Sequence, residues 1–428
     1  MRDRKTHDAA PPLRAGLRES LTRVRENCTD CGACRDECAF LQKYGTPGEI
    51  ASGYDPADHQ HLAMPFECSL CRLCTAVCPV HAEPAHMFLE MRRESVDRGK
   101  GTFPEHKGLW GYERTGMSKR FTYYGVPRGC ETVLFPGCAF PGTRPDRTKE
   151  IFERLRKEDP CLGIVLDCCG RISQDLGRDA FSRAMMDEMG TYLVEHGVRE
   201  VIVVCPNCYD MFKEYGTGLH VRMIYEVLPM AQDPSGVNSG HVVLHDPCGT
   251  RFHSDCHEAV RRHLDRAGVV FHDMDHAKEQ TLCCGSGAGV DVLSPDLAGS
   301  WMERTAAEVK GSMVVTYCAG CTRKMGSHSK TVHVLDLLCE PEMALNGRSP
   351  VAGGHMTYLY RLRLKGHFRK TIHASVSRER TYWAGERPKG VLCRALVLFL
   401  GIGLMVLVSL IPAVYRMYQK RHQGAEPM

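Results

Sequence analysis

An excess of one charge is the first thing this 428-residue chain lacks, since 55 basic residues against 51 acidic ones leave a net formal charge of only +4. Phosphate contacts call for strongly basic domains, so no nucleic acid is expected as a partner. An apolar leader is lacking as well. Met1 to Ser20 carry Arg2, Arg4, Lys5, Arg14 and Arg18 with no apolar stretch, which reads against a signal peptide. Nor is the chain poor in apolar residues: at 43% hydrophobic it does not read as disordered. A nucleotide fingerprint is missing too. Gly285-Ser286-Gly287-Ala288-Gly289 is glycine-rich but lacks the preceding strand and the spacing of a dinucleotide loop, so neither a flavin nor a nicotinamide is expected.

What the chain has in abundance is cysteine, 23 in all. A secreted disulfide framework and metal ligation in a reducing compartment are the two chemistries that use so many. The total is odd, and 18 of the 23 fall into ordered motifs, which favours ligation. The first eight form two runs, Cys28-x-x-Cys31-x-x-Cys34-x-x-x-Cys38 and Cys68-x-x-Cys71-x-x-Cys74-x-x-x-Cys78-Pro79. Three thiolates on a tight turn cap three corners of a [4Fe-4S] cube, and the fourth reaches the other cube. The spacing therefore assigns Cys28, Cys31, Cys34 and Cys78 to one cubane cluster, and Cys68, Cys71, Cys74 and Cys38 to a second. Zinc would favour paired C-x-x-C motifs or histidines instead. Such clusters relay single electrons, and the block resembles a dicluster ferredoxin domain.

The other ten ordered cysteines lie in an internal repeat of short β-rich runs alternating with amphipathic helical stretches, the pattern of α/β units with parallel strands. Strands at 132–135 and 241–245 run into Cys138 and Cys248; helices follow around 146–158 and 255–267. Then come Cys168-Cys169-Gly170 and Cys283-Cys284-Gly285, helices at 179–196 and 296–310, and strands delivering Cys205-x-x-Cys208 and Cys318-x-x-Cys321. In an open α/β unit, ligands gather at the carboxyl ends of strands, and all three cysteine groups of each half sit there. Adjacent cysteines cannot both cap one cube corner, so each Cys-Cys pair favours an unusual or split cluster over a simple cubane.

Cys…Cys-Cys-Gly…Cys-x-x-Cys, present twice over residues 130–340, resembles the cysteine-rich CCG domain of the B and D subunits of heterodisulfide reductases. The resemblance implies that Cys138, Cys168, Cys169, Cys205 and Cys208 hold one non-cubane [4Fe-4S] cluster, and Cys248, Cys283, Cys284, Cys318 and Cys321 a second. It implies that the two clusters face each other and that a disulfide is cleaved between them. Iron–sulfur subunits of glycerol-3-phosphate, glycolate and lactate oxidation systems share the layout, which leaves a pure electron relay as the alternative. His245, just ahead of Asp246-Pro247-Cys248, is a candidate proton donor at the second site, whereas His241, His253 and His257 read as surface or supporting groups. Cys130, Cys161, Cys256, Cys339 and Cys393 lie outside every motif and read as buried inert thiols.

The expected fold class is therefore mixed α+β and α/β: an N-terminal two-[4Fe-4S] ferredoxin-like domain, two repeated α/β cysteine-rich domains, and a C-terminal single transmembrane helix. The expected divisions are a flexible segment at 1–27, the ferredoxin block at 28–99, a linker at 100–129, cysteine-rich domains at 130–235 and 240–340, and a basic linker at 341–394. A membrane helix at 395–415 and a tail at 416–428 complete the chain. Ala395 to Tyr415 carry no charge, and at ~1.5 Å per residue they match a bilayer core of ~30 Å. That run contains no histidine to hold a haem. A membrane cytochrome, a quinone-reactive subunit or a soluble dehydrogenase is the expected partner and a disulfide or thiol the expected substrate. The expected location is the cell membrane, with a single pass and the iron–sulfur domains on the cytoplasmic side.

Overall fold

The computed structural model describes residues 11–229 and 242–380, all within one folded unit. Its ten strands are β1 (Tyr123–Pro127), β2 (Thr132–Phe135), β3 (Gly163–Leu166), β4 (Glu200–Val203), β5 (His220–Met223), β6 (Val242–His245), β7 (His272–Asp273), β8 (Met313–Thr316), β9 (Thr331–His333) and β10 (Ala374–Arg378). They form a six-stranded sheet in the order β10-β1-β3-β2-β4-β5 and a four-stranded sheet in the order β7-β6-β8-β9. Strands β3-β2-β4-β5 are parallel, and so are β7-β6-β8-β9. The two halves thus repeat one strand order as well as one cysteine order. In both, the chain reverses its direction of travel across the sheet between the two central strands, the kind of crevice where α/β sheets bind ligands.

The parallel strands are buried on both faces. Leu134, Phe135, Val201, Val203, Leu244, Val314 and Val315 are all inaccessible to solvent, and Val, Ile and Leu dominate the central strands as such sheets demand. Helices Pro145–Glu158, Asp179–Glu195, Ser254–Arg266 and Pro295–Val309 supply the crossovers.

The segments expected as linkers carry structure of their own. Within 100–129 lie the helix Lys107–Gly116 and strand β1. Within 341–380 lie the helix Met356–Thr371 and strand β10, which pairs antiparallel with β1 and so closes one edge of the first sheet. Leu364 and Phe368, four apart on that helix, are fully buried, each stabilising the fold by about 1.5–3 kcal/mol. The ferredoxin block has a separate small core, in which Leu17, Leu21 and Val24 of helix Ala15–Asn27 meet Met87, Phe88 and Met91 of helix Pro84–Asp97.

The single-pass membrane assignment needs correction. Among the described residues no helix is long and apolar enough to cross a membrane. The longest, Asp179–Glu195, has 17 residues and carries Asp179, Arg183, Asp187, Glu188 and Glu195. The expected span at 395–415 lies outside the described residues. The transmembrane helix, the membrane location and the sidedness drawn from it therefore do not stand.

Candidate metal centres

Each ferredoxin-type run makes the same turn. Asp30 and Gly32 in the first run, and Leu70 and Arg72 in the second, stand at equivalent positions and all have positive φ, from 47° to 85°. For Asp30, Leu70 and Arg72 that conformation is costly, and such backbone is kept where a site requires it. The turns bring three sulfurs of each run together and lead into short helices, Ala33–Asp36 and Leu73–Ala76, that carry Cys34 and Cys74. The runs then cross over. Cys28, Cys31, Cys34 and Cys78 line one small pocket with Gly32, Pro79 and Val80. Cys38, Cys68, Cys71 and Cys74 gather as the other set, each thiol feeling its neighbours electrostatically. Backbone N–H groups already point at sulfur, Leu70 to Cys68 and Ala82 to Cys78, both at 3.4 Å.

In the first cysteine-rich half every cysteine group follows the carboxyl end of a strand; in the second, Cys248 and Cys318 do, while Cys283-Cys284 lie beyond a short turn, Lys278–Gln280, after β7. Cys138 follows β2, the pair Cys168-Cys169 follows β3, and Cys205 follows β4, with Cys208 in the first turn of helix Pro206–Tyr215. Gly137 must be glycine: its φ is +77°, and a Cβ there would sit 3.1 Å from the Cys208 sulfur. The Cys168 thiol lies 3.7 Å from Cys138. Cys169 interacts with both Cys168 and Cys208, and Cys208 with Cys205. The second half repeats the chain of contacts, Cys248 to Cys283, Cys283 to Cys284, Cys284 to Cys321, and Cys321 to Cys318.

Two further contacts join the sets. Cys205 meets Cys318 across the two halves, and Cys71 of the ferredoxin block meets Cys283. Interacting thiols thus link the ferredoxin block to the second half and the second half to the first. Where burial dominates it pushes thiols up, Cys34 to about 11 and Cys68 to about 12. Neighbouring thiols pull Cys71, Cys169, Cys284 and Cys318 the other way, toward the thiolate. Dense, buried sulfur donors of this kind are suited to iron, whose positive charge stabilises the thiolates and releases their protons. All described cysteines are free of disulfides. The donor sets fit iron–sulfur clusters.

Comparison with known proteins agrees. The 4Fe-4S dicluster domain family matches residues 25–82, and the cysteine-rich domain family matches residues 132–213 and again 242–326. This chain carries a 4Fe-4S dicluster domain and two cysteine-rich domains. Its cofactors are 4Fe-4S clusters. It is 24% identical over 296 residues to the D subunit of the dihydromethanophenazine:CoB–CoM heterodisulfide reductase of Methanosarcina barkeri, covering 60% of this chain and 71% of that one. It is 25% identical to the B subunit of the fumarate reductase (CoM/CoB) of Methanothermobacter marburgensis, over 70% of this chain and 67% of the relative. The EtfAB:quinone oxidoreductase of Syntrophomonas wolfei is also 25% identical, over 67% of this chain, but the match spans only 43% of that longer protein. An aspartate racemase of Picrophilus torridus aligns with 54% of this chain and 99% of its own at 14% identity, with a TM-score of 0.24, a likeness too slight to speak to the fold.

Other side chains of this protein reach the sulfur sets from unexpected places. Tyr112, from the 100–129 segment, hydrogen-bonds Cys138, and Arg361, from the basic 341–394 segment, lies close enough to act on it electrostatically. Asp167 accepts a hydrogen bond from the Cys168 N–H at 2.7 Å and is itself fully buried against Arg380 and Tyr124. The helical spacing of Leu364 and Phe368 was the one sequence sign that the basic stretch is a packed helix. Nothing comparable marked Tyr112.

His245 lies beside the second sulfur set, buried and acting on Cys284. Both ring nitrogens are occupied, Nδ1 with the Thr316 hydroxyl and Nε2 with the Leu282 carbonyl, each at 3.2 Å. One of those bonds must open before His245 can pass a proton. His253 instead faces Asp210 and Tyr209, His257 is buried, and His241 lies outside the described residues. Cys130 and Cys256 are buried, but Cys161 is exposed and Cys339 half-buried; Cys393 lies outside the described residues.

Proposed function

We propose that this protein is the iron–sulfur subunit of a heterodisulfide-reductase-like oxidoreductase complex, exchanging electrons between a partner subunit and a disulfide or thiol substrate. The observation that carries the proposal is the junction of the two complete cysteine quintets at Cys205 and Cys318. A pair of one-electron centres in contact suits a two-electron reaction. When bound, the clusters supply single electrons and, at the cysteine-rich sites, iron open to a sulfur ligand. Cys28, Cys31, Cys34, Cys78 and Cys38, Cys68, Cys71, Cys74 are proposed to hold the cubane clusters, and the two quintets non-cubane ones.

Cleaving one S–S bond consumes two electrons and two protons and yields two thiols. The partner, a quinone- or cytochrome-linked subunit, supplies or withdraws the electrons. Tyr112, with its hydroxyl on Cys138, is placed to hold a proton at the first site, and His245 beside Cys284 at the second. Burial of Cys168, Cys169, Cys208, Cys283, Cys284, Cys318 and Cys321 keeps water from the sulfurs.

The relay alternative, with electrons passing from a soluble dehydrogenase to a quinone, draws support from the S. wolfei relative named as a quinone oxidoreductase. The anaerobically purified protein separates the two. Added thiol should perturb the EPR signal of a cysteine-rich site if the substrate sulfur binds there. No perturbation by any thiol, with electron throughput intact, would establish the relay instead.

A further inference from the structure

Two fully buried arginines in this protein face no carboxylate. Arg92 donates to four backbone carbonyls: Pro65 at 2.9 Å, Cys68 at 2.5 Å, Asp175 at 2.7 Å and Ala288 at 2.9 Å. Arg251 donates to Cys71 at 2.8 Å, to Thr281 at 2.6 Å and to Glu279. Both are 0% exposed, and neither forms an ion pair among the described residues. The one acid whose charge acts on Arg92 is Asp175, and its carboxylate is bonded to Arg171. An isolated buried charge is expensive unless something of opposite sign compensates it. Here the carbonyls satisfy the N–H groups and leave the positive charge uncancelled.

What lies beside that charge is the inner set of sulfurs. Arg92 grips the backbone of Cys68, and Arg251 that of Cys71; each guanidinium also acts electrostatically on the thiol of the residue it grips. The outer set, Cys28, Cys31, Cys34 and Cys78, is more open and has a carboxylate beside it; its nearby cation, Arg35 next to Gly32, is exposed and screened by water. Cys31 is exposed, and the Cys28 thiol lies 3.5 Å from the Asp30 carboxylate, which Thr46 holds in place. Four thiolates on a four-iron core make an anion that becomes more negative by one charge on reduction. Positive neighbours favour that step and a negative neighbour opposes it, while burial alone would oppose it at the inner set.

We infer that Arg92 and Arg251 raise the reduction potential of the inner cubane site above that of the outer one, so that electrons entering at the exposed Cys31 end run downhill toward Cys283 and the cysteine-rich halves. The inference rests on the cubane reading of the two sets and adds to it a direction. Arg92 and Arg251 are positioning residues: their charge acts on the cluster through its ligands.

An EPR-monitored redox titration of the anaerobically purified, cluster-loaded full chain tests this. Cys31→Ala identifies the outer signal by removing it. In the native protein the inner midpoint should be the higher of the two. Arg251→Gln should lower it by at least tenfold in the redox equilibrium, about 59 mV for one electron. Arg251→Lys, which keeps the charge, should restore most of that shift, as a merely structural role would not. Asp30→Asn, on an exposed turn, should raise the outer midpoint alone. Equal or reversed midpoints in the native protein overturn the inference without any substitution, and so does an inner midpoint that moves less than threefold in Arg251→Gln. A protein without iron would end the cubane reading itself and this inference with it.

Discussion

The two cysteine-rich halves share a strand order, a cysteine order and a chain of sulfur contacts, yet they are held in different ways. The first half extends its sheet with β1 and β10, segments that precede and follow the whole repeat. Its double cysteine is preceded by Asp167, locked to Arg380, and its first cysteine is touched by Tyr112. The second half has no such additions among the described residues. Its edge strand β7 is two exposed residues, and Leu282 stands where the first half has Asp167. Both halves meet the ferredoxin block, the first through Asp175, Asp179 and Asp210 and the second through Arg251, Cys283 and Trp301, but among the described residues only the second brings one of its own cysteines to it. A repeated motif supplies the sulfurs, and unrepeated flanking segments make the two sites differ. On the proposed path, the second half receives electrons and the first ends their run.

Breaking the unshared features should break this asymmetry, and the largest effect is expected at Asp167. Asp167→Ala leaves Arg380 buried without its nearest acid, which costs about 3–5 kcal/mol when a buried pair loses one member. Denaturant unfolding should show that loss; Leu282→Ala, at the matching position of the second half, should cost a comparable ~2–5 kcal/mol, but through a cavity and with no buried charge left unpaired. Cys318→Ala comes next. It removes the contact with Cys205, so electron throughput to the first half should fall by about an order of magnitude or more while the ferredoxin signals stay reducible. Stopped-flow reduction followed at low-temperature EPR would reveal it.

Tyr112→Phe should be milder, about 1 kcal/mol for one hydrogen bond, with a spectral change confined to the first cysteine-rich site. A change at the second site as well would mean that the halves are not electronically distinct. His245→Asn should be the smallest if His245 only ties Thr316 to Leu282. A turnover loss of ~10²–10⁴ would instead give it the proton role, that being the usual contribution of a general acid.

Much of this arrangement was legible in the chain itself. The strands at 132–135 and 242–245 and the helices near 146–158 and 179–196 follow from alternating apolar runs and amphipathic periods, and they fall within about two residues of the expected bounds. The crossover of Cys38 and Cys78 between the ferredoxin sets follows from spacing, because a three-residue gap carries the fourth thiol past its own turn. Contacts between distant segments were not legible. Strands β1 and β10 flank the whole repeat in sequence, yet they pair residue by residue, Tyr124 opposite Arg378. The Ser375 hydroxyl reaches the Val126 carbonyl across 249 positions of chain. Short strands rich in Ser, Arg and Gly have no apolar alternation to announce them. The uncharged run at 395–415 had length and composition in its favour, and it lies outside the described residues.

The four carbonyls held by Arg92 have a consequence for how this protein is made. Pro65 and Cys68 leave the ribosome before Arg92 does, but Ala288 is 196 residues further on. At about 5–20 residues per second, that partner arrives roughly 10–40 s later. Until then Arg92 Nη1 lacks the Ala288 acceptor, and that edge of the guanidinium needs water in its place. The Arg92 clamp is therefore completed only once the second half has been made, so one buried cation ties the ferredoxin block to the last-made part of the repeat.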